Sequence, residues 1–215
     1  VQGTPVDVAF SFDSSKAFVL SRSVAGASGT VISQVDLQTG VINATLGLRG
    51  ENVSPATGII MAPNGFLYVS NNNTVWEIDP RTLKVTTSNN TTGEFVVTGY
   101  PDKGFVTGDG KYLVFANKRP VQGNTSLIQM DLSNRTIQTF ANFNAEVFAG
   151  FANASADAAS GTNLYGWTES GRLYDIRVGS GLNVNPSILN ADFQNGLAQP
   201  TFNHVAFSNE NPARY

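Results

Sequence analysis

Short apolar runs rich in Val, Ile, Phe and Tyr alternate along this chain with clusters of Gly, Asn, Asp and Ser, and they return in a fixed order. Pro63-Asn64-Gly65 leads into an apolar run over 66–70. A second run from Thr74 closes on Asp79, and Thr82-Leu83-Lys84-Val85 begins a third. Asp109-Gly110-Lys111 leads likewise into Tyr112-Leu113-Val114-Phe115, then Leu127-Ile128-Gln129-Met130-Asp131, then Asn134-Arg135-Thr136-Ile137. The chain opens with the same series, from Asp13 through Asp36 to Ile42. Alternating or fully apolar runs of about four to eight residues, bounded by turn formers, read as strands. No segment has a helical period; the nearest, 152–160, is small, polar and reads as a loop.

Asp36, Asp79, Asp131 and Asp175 are expected at the ends of third strands, and they lie 43, 52 and 44 residues apart. That period is close to the roughly 40–50 residues of a propeller blade. The expected innermost strands are 7–12, 58–62, 104–108 and 148–152. The second strands are 17–21, 66–70, 112–116 and 163–168, and the last outer strand falls between 178 and 189. The fold class is therefore all-β: a β-propeller array over 1–215 with four complete four-stranded blades. These cover about 6–48, 56–92, 100–141 and 146–190. Val205-Ala206-Phe207-Ser208 repeats Val8-Ala9-Phe10-Ser11 letter for letter, so 203–215 reads as the start of a fifth blade. A half-built sheet exposes an unpaired edge. The expectation is a larger propeller, in which further blades or another protein chain cover the C-terminal edge.

Over 44–85 the sequence resembles the YVTN-type repeat of seven-bladed propellers. The matching residues are Thr45-Leu46-Gly47-Leu48, Pro55-Ala56-Thr57-Gly58-Ile59, Ala62-Pro63-Asn64-Gly65, Leu67-Tyr68-Val69-Ser70-Asn71, and 75–79 with Thr82 and Val85. The other units keep the spacing while their letters drift. The resemblance implies a propeller of the wide superfamily that includes lactonase-like, quinoprotein-like and surface-layer members. Those functions are unrelated, so the likeness implies a fold and not an activity.

Composition narrows the function classes. Hydrophobic residues make up 41% and charged residues 13% of the 215, with a net charge of −3, against about 25% charged in a typical soluble domain. Solubility must then come from Ser, Thr, Asn and Gly or from attached sugar. No Lys/Arg run recruits nucleic acid, and no apolar stretch reaches the roughly 18 residues that span a bilayer. Cysteine is absent, which removes disulfides and thiolate chemistry. The chain lacks an initiating Met and a signal peptide, and reads as a mature chain or a segment of a longer one.

The candidate chemistry is sparse. The four aspartates read as caps of the turns that follow them, as Asx-turn residues do, in preference to a carboxylate ring. His204, the single histidine, reads as a hydrogen-bonded structural residue; a His–carboxylate base is the competing role. Asn71, Asn72 and Asn73 with Glu77 offer oxygen ligands for Ca²⁺ without the spacing of a calcium loop. Asn64-Gly65 and Asp109-Gly110 are hairpin turns. Trp76, Trp167, Tyr68, Tyr112, Phe115 and Tyr165 read as inter-blade packing, with a sugar-stacking platform as the alternative. No catalytic set, cofactor or metal is expected.

The signal that stands out is N-x-[ST], at Asn43, Asn52, Asn72, Asn89, Asn90, Asn124, Asn134 and Asn153. With 22 Asn and 37 Ser plus Thr, chance gives roughly four such triplets, so eight is about a twofold excess. They fall in expected turns, inter-blade loops, the outer strand or, for Asn153, the end of an inner strand, and use would demand such exposed placement; turn-forming Asn gives the same pattern without sugar. Together these features point to a secreted or cell-surface glycoprotein acting as a non-enzymatic scaffold, adhesion or assembly module. Its partners would be other protein chains or carbohydrate. A lactone-hydrolase-like or quinoprotein-like enzyme is the first alternative. A surface-layer or fibre subunit completed by β-augmentation is the second.

Overall fold

The computed structural model describes residues 3–22, 29–48, 56–71, 73–88, 91–97, 99–117, 127–140, 148–153, 163–168, 173–179 and 187–188. Every regular element among them is a strand. The first sheet is an antiparallel meander of β1 (Thr4–Phe10), β2 (Lys16–Arg22), β3 (Thr30–Asp36) and β4 (Ile42–Leu48), in that spatial order. The second begins the same way with β5 (Gly58–Met61), β6 (Leu67–Asn71) and β7 (Thr74–Asp79).

Its outer strand is interrupted. β8 (Lys84–Val85) pairs with the end of β7, and a small hairpin of β9 (Thr87–Ser88) and β10 (Thr91–Thr92) leaves the sheet. The chain then rejoins as β11 (Glu94–Val96) beside the start of β7. Glu77 marks the neck of this insertion: its carbonyl accepts from Thr86 N at 2.9 Å and its N–H donates to Gly93 O at 2.7 Å. The longer interval between Asp79 and Asp131 comes mainly from elsewhere: nine residues separate Asn117 from Leu127, against two between Asn71 and Thr74.

The third sheet runs β12 (Pro101–Val106), β13 (Tyr112–Asn117), β14 (Leu127–Asp131) and β15 (Ile137–Phe140). The fourth runs β16 (Phe148–Asn153), β17 (Asn163–Thr168), β18 (Leu173–Arg177) and β19 (Ser187–Ile188). Contacts divide the chain into two compact units, Val1–Gly104 and Phe105–Tyr215.

In the first unit the core lies between the first two sheets. Phe18, Leu20 and Ile32 meet Ile59, Leu67, Val69, Trp76 and Ile78, with Leu48 closing the outer end. Each such fully buried side chain contributes about 1.5–3 kcal/mol relative to exposure. In the second unit Val114, Ala116 and Leu127 pack against Phe148, Phe151, Leu164, Tyr174 and Ile176. Phe148 stacks on Phe151 with centroids 5.4 Å apart and meets Tyr174 edge-on at 5.7 Å. Gly166 leaves room for that ring, since a Cβ there would stand 2.7 Å from Phe148.

Several expectations need correction. The aspartate rule holds for Asp36, Asp79 and Asp131, each the last residue of its strand. Asp175 instead sits in the middle of β18, paired with Tyr165 and Ser187. The strand continues to Arg177 because Asn163 extends β17 alongside it. The inner strand expected at 104–108 starts at Pro101 instead and ends at Val106; a first position suits Pro, which cannot donate to a ladder. β1 likewise begins at Thr4 and stops at Phe10, before the turn that the expected limit of 12 had included. His204 and 203–215 lie outside the described residues.

Candidate functional site

The first three sheets each make two turns at the same end, and both turn types are built by short polar side chains. In the β1–β2 turn, Ser11 Oγ donates to Asp13 Oδ1 at 2.6 Å and accepts from Lys16 N at 2.9 Å. Asp13 Oδ1 also accepts from Ser15 N and Ser15 Oγ. Thr107, Asp109, Lys111 and Tyr112 repeat this wiring between β12 and β13. Between β5 and β6 the turn is one residue shorter and Asn64 replaces the acid. One residue in each turn adopts the left-handed conformation: Ser14 (φ 56), Gly65 (φ 87) and Gly110 (φ 72).

Asp36, Asp79 and Asp131 act as the sequence suggested. Asp36 Oδ1 accepts from Gln38 N, Thr39 N and Thr39 Oγ1; Asp131 Oδ1 accepts from Ser133 N and Ser133 Oγ; Asp79 holds Arg81 N and the Arg81 guanidinium. Four residues on, Gly40, Leu83 and Arg135 each donate N–H to the aspartate carbonyl at 2.8 Å with φ of 71, 49 and 61.

These bonds favour the ionised acids. The Ser11 hydroxyl, followed by the Ser15 amide and hydroxyl, holds Asp13 at about 2 against 3.8. The Thr39 amide and hydroxyl lower Asp36, the Arg81 guanidinium lowers Asp79, and the Ser133 hydroxyl lowers Asp131. At Asp109 burial pushes upward, and the Thr107 hydroxyl with the Lys111 amide and charge outweighs it, so its pKa is lowered too. The carboxylates thus serve their own turns and do not converge on one cavity.

An open cleft of about 490 Å³ lies where the first two sheets meet at this end. Phe18, Met61 and Pro80 line it, with Phe12 and Phe66 and the polar groups of Asp13, Lys16, Asn64 and Arg81. From Asn64 a chain of hydrogen bonds leads inward. Asn64 Nδ2 donates to the Tyr68 hydroxyl at 2.7 Å, and that hydroxyl donates to Glu77 Oε2 at 2.6 Å. Thr86 Oγ1 donates to Glu77 Oε1 at 2.7 Å. Tyr68 and Glu77 are fully buried. The arrangement clamps the neck of the inserted hairpin and ties it to a cleft residue.

Glu77 also belongs to a recurring position, two residues before the strand-ending Asp. Gln34 occupies it in the first sheet and donates Nε2–H to Pro80 O of the second at 2.8 Å. Gln129 occupies it in the third sheet, and its Oε1 accepts from Gly179 N after the fourth sheet's β18 at 3.1 Å. The matching bonds set Gly179 where Pro80 stands, so Val178 takes the place of the strand-ending Asp in the fourth sheet. The sequence carried this signal as a polar residue recurring at one offset inside apolar strands.

A second polar convergence joins the innermost strands β1, β5 and β12. Asp7 Oδ1 accepts from Lys103 Nζ at 2.9 Å and Asp7 Oδ2 from Ile59 N at 3.1 Å. Gly58 permits the approach, because a Cβ there would be 2.8 Å from Lys103 Cα. Asp7 and Lys103 are 96 residues apart, which is why local reading missed them.

Among the described residues the sequence-derived candidates do not gather. Of the sequon asparagines, Asn43 and Asn134 are exposed, and Asn153 ends β16. Asn52, Asn72, Asn89, Asn90 and Asn124 lie outside the described residues. Asn134 shapes its own turn, with Oδ1 accepting from Thr136 N at 2.9 Å and Thr136 Oγ1 at 2.7 Å. The calcium reading loses Glu77, whose oxygens accept from Tyr68 and Thr86, while Asn71 is buried with an unpartnered Oδ1. Among the described residues no group of three His, Cys, Asp or Glu could hold a metal. Trp76, Tyr68, Phe115 and Trp167 are buried, as packing residues would be.

No family model and no curated protein matches the chain. Solved structures do. Hydrazine synthase of Kuenenia stuttgartiensis is similar at 15% identity with a TM-score of 0.59, covering 82% of this chain and 46% of that one. The β-propeller domain of Cps50 (Swd1) from Myceliophteria thermophila is similar at 15% identity with a TM-score of 0.57, covering 82% and 53%. The chain thus spans about half the length of the structures it resembles, and at this identity the likeness speaks for the fold alone. Antiparallel sheets in a repeating meander, interlocked by one recurring polar position, agree with that likeness: the chain is an all-β protein with the β-propeller fold.

Proposed function

We propose that this chain is part of a secreted, N-glycosylated propeller with YVTN-type blades, serving as a scaffold or assembly module that binds other macromolecules and turns over no substrate. The observation that carries this reading is the use made of charge. Asp13, Asp36, Asp79, Asp109 and Asp131 each direct their carboxylate oxygens to their own turn, so the ionisable groups at the blade ends maintain the frame. Exposed Asn43 and Asn134 add support for glycosylation, as does the low proportion of charged residues.

One observation favours the alternative of a lactone-hydrolase-like or quinoprotein-like enzyme. Asp7 and Lys103 meet on the innermost strands, where that reading wants ionisable side chains. Two measurements separate the readings. Peptide mass spectrometry of the protein from its natural source is expected to find sugar at Asn43 or Asn134; all eight sequons bare would remove the secreted reading. Turnover of lactones by the purified protein, abolished in Asp7→Asn and Lys103→Met, would replace the scaffold with the enzyme.

A further inference from the structure

The cleft between the first two blades departs from the repeat on both of its walls. On the first wall, the β1–β2 turn shares its wiring with the turn between β12 and β13, so the two compare residue by residue. Phe12 stands where the third blade has Gly108, and it is 66% exposed on the cleft. Ser15 stands where the third blade has Lys111. That lysine closes its own turn, with Nζ 3.5 Å from Asp109 Oδ2. Asp13 gives only Oδ1 to its turn, accepting there from Ser11 and Ser15. Among the described residues nothing engages Asp13 Oδ2, and a pKa held at about 2 keeps that carboxylate ionised.

The second wall departs in the same way. Two residues after the strand-ending aspartate, the first blade has Gln38 and the third has Ser133, whose hydroxyl turns back to Asp131. The second blade has Arg81 there, with its side chain 82% exposed. Arg81 Nε and Nη2 hold Asp79, and among the described residues Nη1 has no acceptor. Between the walls lie Phe18 and Met61, which belong to the core shared by the two blades. Both walls come from packed neighbours, so this cleft does not wait for a further blade to form it.

Its volume of about 490 Å³ falls among small-molecule sites, which run to roughly 300–1,000 Å³. Its charges offset one another, Asp13 against Lys16 on one wall and Arg81 against Asp79 on the other. An acidic occupant would meet the Asp13 carboxylate. A purely apolar one would strip water from that carboxylate without replacing its hydrogen bonds. A sugar satisfies every part: the C–H face of a pyranose suits the negative face of an aromatic ring, and each hydroxyl both donates and accepts. We infer that this cleft binds a neutral oligosaccharide, with one sugar ring on Phe12, a hydroxyl donating to Asp13 Oδ2 and another accepting from Arg81 Nη1. The inference rests on the reading of the chain as a binding module and goes further by naming the ligand class and its site.

The test exposes the full 215-residue chain to an array of neutral and acidic oligosaccharides, with each hit measured by titration calorimetry. Phe12→Gly, Ser15→Lys and Arg81→Ser each install the residue that the third blade uses, so the fold has a place for all three, and thermal midpoints check that it is kept. Neutral oligosaccharides are expected to bind the parent, and each variant should weaken that binding about tenfold or more. Ser15→Lys discriminates best, because it covers Asp13 Oδ2 while leaving Phe12 and Arg81 as they are. Equal binding by parent and folded variants, a preference for acidic oligosaccharides, or no binding at all would overturn the inference and leave the scaffold reading intact. Cleavage of a bound oligosaccharide by the parent, lost in the variants, would keep the site and replace the scaffold with an enzyme.

Discussion

The first blade places Gln34 and the second Glu77 at the same position, and the two side chains do different work. Gln34 reaches across to Pro80 O of the next blade, a neutral bond between neighbours. Glu77 is a buried acid held by Tyr68 and Thr86 of its own blade, at the point where the outer strand leaves the sheet and returns. The first blade keeps one continuous outer strand with a single bulge; the second carries an inserted hairpin. A repeat can thus accept an insertion in its outer strand if a polar residue at the neck satisfies the groups that regular pairing would have satisfied.

Replacing Glu77 is expected to have the largest effect on this comparison. Glu77→Leu takes the acceptor from the buried Tyr68 hydroxyl and from the half-buried Thr86 hydroxyl, and a lost acceptor at a buried donor costs about 1–3 kcal/mol. A loss of about 3 kcal/mol or more in a denaturant titration is expected. Glu77→Gln, the residue the first and third blades use, keeps an acceptor and should cost about 1 kcal/mol. Equal losses for both variants would show that the charge, and not the acceptor, maintains the neck. Gln34→Ala comes next, at about 2 kcal/mol, because it leaves a carbonyl unpaired and opens a small void; a change under about 0.5 kcal/mol would mean the inter-blade bond contributes nothing.

Local features were legible in sequence and relations between blades were not. Asn64-Gly65 and Asp109-Gly110 signal turns because few residues tolerate φ > 0, and Gly65 and Gly110 are the residues in that conformation. Asp36, Asp79 and Asp131 are legible as caps because an Asx residue bonds the backbone two residues on, a purely local relation. Asp175 failed because its identity suggested a cap, whereas strand length is set by the neighbour, β17. The inserted hairpin is hidden in a Thr-rich run with strand propensity, and the longer interval to Asp131 does not reveal it, because that excess lies between Asn117 and Leu127. Asp7–Lys103 and Gln34–Pro80 depend on strands brought side by side by the fold, and no periodicity within one strand encodes them.

The turn between the first two strands of each blade gives a smaller effect with a predicted sign. Ser14 takes the left-handed conformation that Gly65 takes in the second blade. Ser14→Gly should raise stability by about 0.5–1 kcal/mol, the relief of strain less the added freedom of the unfolded chain. Gly65→Ala should lower it by about 1 kcal/mol from backbone strain alone, since no atom lies within 4 Å of the added Cβ. Thermal midpoints that move in the same direction for the two variants would break the equivalence of these turns.

The smallest effect separates the same two turns by pH, because the first blade uses ionisable Asp13 where the second uses neutral Asn64. Hydrogen bonds from Ser11 and Ser15 hold the folded Asp13 at about 2 against 3.8. A depressed folded value means that the native state binds the proton more weakly than the unfolded chain does. The contribution of Asp13 is therefore complete above pH 3.8 and is lost as pH falls through about 2. Asp36, Asp79, Asp109 and Asp131 share this sign, so the whole protein should weaken in acid, and only a difference between variants isolates one turn. Asp13→Asn keeps an acceptor for the Ser15 amide and removes the titration. It should lie below the parent at pH 5 in thermal midpoint and converge on it toward pH 2. Because the carboxylate is exposed and screened, the gap at pH 5 should be modest and should shrink with added salt. Parallel curves from pH 5 to pH 2 would mean that the Ser11–Asp13–Ser15 bonds add nothing beyond what a neutral amide supplies, and the two turns would then be energetically the same.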